Sequence, residues 1–225
     1  MKQINRKCIV CLSGGMDSGT LLSYCIEHYG EVEAVGFIYG SKHNPYEQEA
    51  AKKLCIYYNI QFTQIDLSNI SKYLNSNLLT SGEEIPEGYY ESDNMKLTVV
   101  PGRNIIFISI LAGIAQSRKA QMVAIGIHGG DHAIYPDCRP SFFQAMQKAI
   151  VEGTGDEVAL LAPFLMENKT SILGWGIEHK VPYGLTRTCY KAQPLACGKC
   201  GACQERIEAF ANHGIMDPIL YDEEN

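Results

Sequence analysis

Two constellations in the sequence combine residue types and spacing suited to chemistry. The first is Ser13-Gly14-Gly15-Met16-Asp17-Ser18. Paired glycines let a backbone approach its ligand closely, and successive N–H groups at a helix start face an anion. Ser13 and Ser18 add hydroxyl donors. A carboxylate does not attract phosphate, so Asp17 makes sense there as a Mg²⁺ ligand. The loop lacks the Gly-Lys-Ser/Thr of a Walker A motif and is not the G-x-G-x-x-G of a dinucleotide site. The second constellation is Cys189-x₇-Cys197-x₂-Cys200-x₂-Cys203. Four thiolates close a tetrahedral Zn²⁺ site with no open position, which makes its role structural. An iron–sulfur cluster is the rival, because ferredoxins share C-x₂-C-x₂-C. They carry a further Cys-Pro three residues on, where this chain has the helix-forming Gln204-Glu205-Arg206.

The elements that must hold these residues alternate in type. Apolar and β-branched runs predict strands at 8–12, 32–39, 61–67, 122–127 and 158–162. Helical spacing predicts helices at 18–29, 46–58, 104–116, 140–150, 168–180 and 204–213, the last stopped by Gly214. Strands separated by helices imply βαβ units, hence an α/β fold with a parallel sheet covered on both faces. Ligands of such sheets bind beyond the carboxyl ends of the strands, where the glycine loop lies. Two segments are irregular. Residues 79–98 are polar, with Gly82, Pro86 and Gly88, and read as a mobile lid. Residues 181–203 are rich in Cys, Gly and Pro and cannot supply an apolar core of their own.

Composition sets the bounds. The chain has 225 residues, 46% of them apolar and 20% charged, which excludes intrinsic disorder. With 25 acidic and 19 basic side chains the net charge is −6, against a protein held mainly by polyphosphate contacts. The most apolar run, 105–115, is too short for a membrane span, and the polar residues 1–7 do not begin a signal peptide. A cytoplasmic protein is expected, and there nine cysteines are not a disulfide framework.

The glycine loop resembles the SGGxDS loop of the ATP pyrophosphatase superfamily, which holds the pyrophosphate end of ATP and cleaves between the α and β phosphates. Three further strings join it: Val100-Pro101-Gly102-Arg103-Asn104, Tyr135-Pro136-Asp137-Cys138-Arg139-Pro140 and Thr186-Arg187-Thr188-Cys189-Tyr190. With the cysteine cluster, and in this order, they resemble the 7-cyano-7-deazaguanine synthase (QueC) family over almost the whole chain. The resemblance implies a PP-loop, adenine nucleotide alpha hydrolase-like domain over residues 1–180 and a small zinc-binding segment over 181–225. It implies an ATP-dependent ligase that adenylates 7-carboxy-7-deazaguanine, lets ammonia displace AMP, and activates the resulting amide with a second ATP to leave the nitrile. ATP, Mg²⁺ and one structural Zn²⁺ are the implied cofactors. A homodimer acting on a small molecule is implied, with neither membrane nor nucleic acid as partner.

Carried onto this sequence, the ATP segment is Leu12, Ser13, Gly14, Gly15, Met16, Asp17, Ser18, Gly19, Thr20, Leu21 and Leu22, and the zinc ligands are Cys189, Cys197, Cys200 and Cys203. Arg103 is the candidate for stabilising phosphate or carboxylate, or else half of a surface ion pair. Lys169 opens a helix and reaches the nucleotide, or is a solvated lysine. Asp131, Asp137 and Arg139 follow the fourth strand and should line the substrate pocket, unless the last two only brace the loop. His128 and His132 are either acid–base groups or plain polar residues. Cys138 is a buried small side chain, or a nucleophile of the kind that related enzymes use to move sulfur onto tRNA. The sequence departs from the family at Ser41, Gly129, Gly130, His132, Ile134, Ser141 and Arg187. Most of these fall on the presumed pocket, so a paralogue passing the acyl group to another amine is the alternative; an adaptor without turnover is a further one.

Overall fold

The computed structural model describes residues 3–88 and 93–222. Five parallel strands form one sheet: β1 (Ile4–Cys11), β2 (Tyr29–Ile38), β3 (Gln61–Asp66), β4 (Met122–Ala124) and β5 (Ala159–Leu161). Their order is β3-β2-β1-β4-β5. Cys8 pairs with Val32 on one side and Met122 on the other, and Val10 with Ala34 and Ala124. The chain therefore runs outward from β1 to β3, then returns to place β4 on the free side of β1. A crevice opens at that reversal, beyond the carboxyl ends of β1 and β4.

The helices are α1 (Met16–His28), α2 (Asn44–Tyr58), the single turn α3 (Ser68–Ser71), α4 (Arg103–Ser117), α5 (Pro140–Thr154), α6 (Lys169–Glu178) and α7 (Gly201–Asn212). Strand periodicity sorts the core into two layers. Cys8, Val10, Leu12 and Ala124 face Leu21, Leu22, Leu54 and Ile172 of α1, α2 and α6. Ile9, Val35, Val123 and Ile125 face Ile108, Leu111, Ala115 and Ile150 of α4 and α5. Residues 8–10 of β1 and 33–37 of β2 are buried on both faces, whereas the edge strand β3 is polar and partly exposed.

Several helix starts differ from the sequence expectation for local reasons. α1 begins at Met16, with Gly15 at its N-cap and no side-chain cap. α7 begins at Gly201 rather than 204, because Cys203 N and Gln204 N both donate to Cys200 O, so the last C-x-x-C turn is the helix's first turn. β4 is shorter than expected, although Ile125 N still donates to Leu161 O. Met95–Ser117 is long and apolar enough to pass as a membrane span, contrary to expectation. Gly102 breaks it with φ +65, and Ile108, Leu111 and Ala115 bury one side of α4 against the sheet.

The segment expected as a lid is anchored where it is described; residues 89–92 of it lie outside the described residues. Leu79, Ile85 and Met95 are buried, and the first two share a core with the four cysteines. Gly88 N donates to Lys199 O. Arg206 of α7, wholly buried, ties the C-terminal region together. Its guanidinium donates to Asp217 at 2.6 and 2.8 Å, to Thr186 Oγ1 at 2.7 Å and to Thr188 Oγ1 at 3.1 Å. The strap around Thr186 then meets the glycine loop through Arg187 N→Gly14 O at 2.8 Å.

Candidate active site

The crevice collects the glycine loop from β1, residues 125–131 after β4, and side chains from α2, α4 and α6. Gly14 turns the loop with φ +96, and a Cβ there would lie 2.3 Å from Glu47 O, so only glycine fits. Ser13 Oγ accepts from Gly15 N, and Ser18 Oγ from Gly14 N, each at 3.2 Å. The first bond of α1 is Gly19 N→Gly15 O. The N–H groups of Met16, Asp17 and Ser18 precede it and form a helix N-terminus suited to an anion. Leu12, Ser13, Gly15, Met16, Asp17 and Ser18 line the cleft. Leu21 and Leu22 lie in the core, Thr20 bonds Tyr183 Oη at 2.8 Å, and Gly19 packs beneath Thr186.

Asp17 is the centre of a charge cluster. Its Oδ2 lies 3.4 Å from Lys169 Nζ and 3.7 Å from His128 Nε2, and His128 also stands 3.5 Å from Asp131. Its Oδ1 is buried with no hydrogen-bond partner. Burial alone would raise the Asp17 pKa, but Lys169 and His128 outweigh it and hold the carboxyl far below its usual range. Burial would likewise lower His128, yet Asp131 and Asp17 bring it up to about 9. Lys169 is buried and held well above its ordinary value: burial opposes this, and Asp17 and Glu205 overcome it. An ionised carboxylate with one unsatisfied buried oxygen beside an anion cradle fits a divalent cation.

The far half of the cleft is different. Phe37 and Phe107 stack 4.2 Å apart, and Tyr39, Tyr135 and Tyr190 complete an aromatic wall. Arg103 stands at the start of α4, 5.8 Å over the Tyr135 ring. Glu47 and His43 face each other across 3.4 Å. Burial pushes Glu47 up to about 8 against the pull of Arg103 and Arg187, and drives His43 down to about 3 with their help. The sequence reading missed this pair, Tyr39 and the phenylalanines. The signal was available for His43 and Glu47: both follow the carboxyl end of β2, the side on which ligands bind.

The remaining candidates separate. Asp131 lines the cleft. Asp137 lies just behind it and takes Asn104 N at 3.0 Å, capping the start of α4. Arg139 is exposed and donates from Nε to His132 O at 2.8 Å. Cys138 lines the cleft, but burial, then Asp131, pushes its thiol well above the usual range, which disfavours a nucleophilic thiolate. Arg187 holds the carbonyls of Gln193 and Pro194 and lies 4.8 Å over the Tyr46 ring.

The four cysteines come together as the spacing required. All are buried, and their sulfurs lie within 4.8 Å of one another. A tetrahedron with Zn–S bonds of about 2.3 Å has edges of about 3.8 Å; Cys197 and Cys203 sulfurs stand 3.9 Å apart. Backbone N–H groups of Lys191 and Cys197 point at Cys189 Sγ, and those of Lys199 and Cys200 at Cys197 Sγ. Such donors stabilise thiolates around one ion.

Comparison with known proteins identifies the family. A family model described as "Queuosine biosynthesis protein QueC" matches residues 7–214. A 7-cyano-7-deazaguanine synthase of Hahella chejuensis is 45% identical over 219 residues, covering 97% of this chain and 94% of that one. Another, of Caldicellulosiruptor bescii, is 46% identical over 217 residues, covering 96% and 97%. With near full-length identity at that level and a matching family model, the chain belongs to the QueC family of queuosine biosynthesis proteins.

Proposed function

We propose that this chain is an ATP-dependent ligase converting 7-carboxy-7-deazaguanine and ammonia to 7-cyano-7-deazaguanine through an adenylated intermediate. The observation that carries the reading is a single cleft with two unlike halves. One is a glycine-rich anion cradle with Asp17 and Lys169; the other is aromatic-walled and holds Arg103. A planar heteroaromatic acid fits the second half, with Arg103 pairing its carboxylate. The carboxylate oxygen would then face the phosphates, which Ser13 to Ser18 would hold.

The chemistry follows from leaving-group strength. A carboxylate is a poor electrophile, and its adenylate loses AMP readily to ammonia. A second ATP then adenylates the amide oxygen with release of pyrophosphate, and AMP departs with that oxygen as the nitrogen gives up its two protons, leaving the nitrile. Asp17 would hold Mg²⁺, whose charge would screen the phosphates as pyrophosphate departs. Lys169 and the N–H groups opening α1 stabilise the same developing charge. The aromatic wall excludes water, which would otherwise hydrolyse the adenylate. Cys189, Cys197, Cys200 and Cys203 would hold one structural Zn²⁺ that pins the strap behind the glycine loop.

A thiol-transfer reading finds little support in Cys138, whose proton is strongly held. AMP release that depends on 7-carboxy-7-deazaguanine, and survives in Cys138→Ser, supports the ligase; loss of turnover in Cys138→Ser sinks it. A homodimer is part of the proposal, read by light scattering as a mass twice that of the chain.

A further inference from the structure

The ammonium of Lys169 is buried, and its position is fixed by two carboxylates. Asp17 Oδ2 stands at 3.4 Å, and Glu205 Oε2 accepts from Lys169 Nζ at 2.5 Å. Glu205 does not belong to the sheet-end loops. It comes from the first turns of α7, two residues beyond Cys203, in a helix whose N-cap is Cys200. Its neighbour Arg206 is locked by Asp217, Thr186 and Thr188. The start and rotation of α7 are therefore set on both sides of Glu205. Room for the carboxylate is provided from across the cleft. A Cβ on Gly130 would lie 3.2 Å from Glu205 Oε1 and 3.1 Å from the His128 ring. A Cβ on Gly129 would lie 2.8 Å from Glu167 O. These are the two positions before Asp131 where the family resemblance led us to expect larger residues. Gly130 and Glu205 make one arrangement.

A buried ammonium needs a partner to offset its desolvation. Without Glu205, Lys169 would be left with Asp17 Oδ2 as its near carboxylate, beside the Oδ1 that is open to a cation, and with the charge of Asp131. A second carboxylate on the opposite side holds it back. We propose that Glu205 is a positioning residue for Lys169, keeping the ammonium off Asp17 and aimed at the phosphate chain, and that the cysteine knot delivers it by starting α7. This rests on the reading of Lys169 given above.

A double-mutant cycle of Glu205→Gln and Lys169→Met tests it, with kcat and KM for ATP from AMP release and Kd for Mg²⁺·α,β-methylene-ATP. Glu205→Gln should lower kcat about tenfold or more, the usual scale for groups that orient a reacting residue. Its affinity for α,β-methylene-ATP should not weaken, because a carboxylate beside the anion site has gone. Metal content should stay at about one per chain. In the Lys169→Met background the same substitution should change residual AMP release less than about twofold, since it acts only through the lysine. A Glu205→Gln protein with wild-type kcat overturns the proposal, as does an equal loss in the Lys169→Met background. If Glu205→Gln does not fold, Glu205→Asp, too short to reach the ammonium, enters the cycle under the same criteria. Wild-type kcat in Lys169→Met refutes the role of Lys169 itself; an inactive Lys169→Met beside an unimpaired Glu205→Gln refutes the positioning alone.

Discussion

Asp17 meets Lys169 and His128 through one oxygen and leaves the other buried without a partner. A group so placed has a task beyond the fold. Asp17→Ala should cut AMP release by about 10²-fold or more while the circular dichroism spectrum stays native; retained AMP release contradicts the role. Glu47 and His43 give a pH signature. The Glu47 carboxyl, at about 8 in the fold, ordinarily titrates near 4.5. Its raised pKa means stability is lost as pH rises between those values, where the unfolded chain ionises freely and the fold resists. His43, lowered to about 3 from 6.5, loses stability in the opposite sense as pH falls below 6.5. Glu47→Gln should therefore gain Tm over the wild type at pH 8 and little at pH 5; an equal gain at both values contradicts the assignment. The glycine loop and cysteines were legible in the sequence because each is contiguous. Glu205 was not: its partner Lys169 lies on another helix, and no local pattern marks the pair.

At the scale of elements, the loop works because α2 and the C-terminal strap clamp it from outside. Gly14→Ala places a methyl group against Glu47 O in a left-handed conformation. We expect a loss of about 1–3 kcal/mol and of ATP binding, read by thermal melts and titration; unchanged Tm with full binding contradicts the account of the cradle. The knot belongs to the same scale. Cys200→Ala should drop metal below one ion per chain and melt the C-terminal region, since structural zinc contributes about 10 kcal/mol or more to folding. Metal content held at one per chain would reject the ligand set. Strands were legible wherever apolar runs were bounded by turns. The anchoring of residues 79–88 was not, because Leu79 and Ile85 find their core among cysteines more than a hundred residues away. Local polarity there reads as a mobile loop, and only the tertiary contact says otherwise.

At the scale of the whole molecule, the chain reversal between β3 and β4 creates the cleft, and the C-terminal region closes its back. The alternation of strands and helices announced that architecture. The sheet order and the joining of anion cradle to aromatic wall depend on long-range packing that periodicity does not carry. The family resemblance leads to the expectation that the departures at Ser41, Gly129, Gly130, His132, Ile134, Ser141 and Arg187 fall mostly on the pocket; of these, Arg187 lines the cleft. Gly129, Gly130 and Arg187 now have packing reasons, so they do not by themselves redirect the chemistry. The most direct test is the mass of the product formed from enzyme, Mg²⁺·ATP, 7-carboxy-7-deazaguanine and ammonium. The account predicts 7-cyano-7-deazaguanine with two AMP per nitrile; accumulation of the amide or adenylate without nitrile would contradict it.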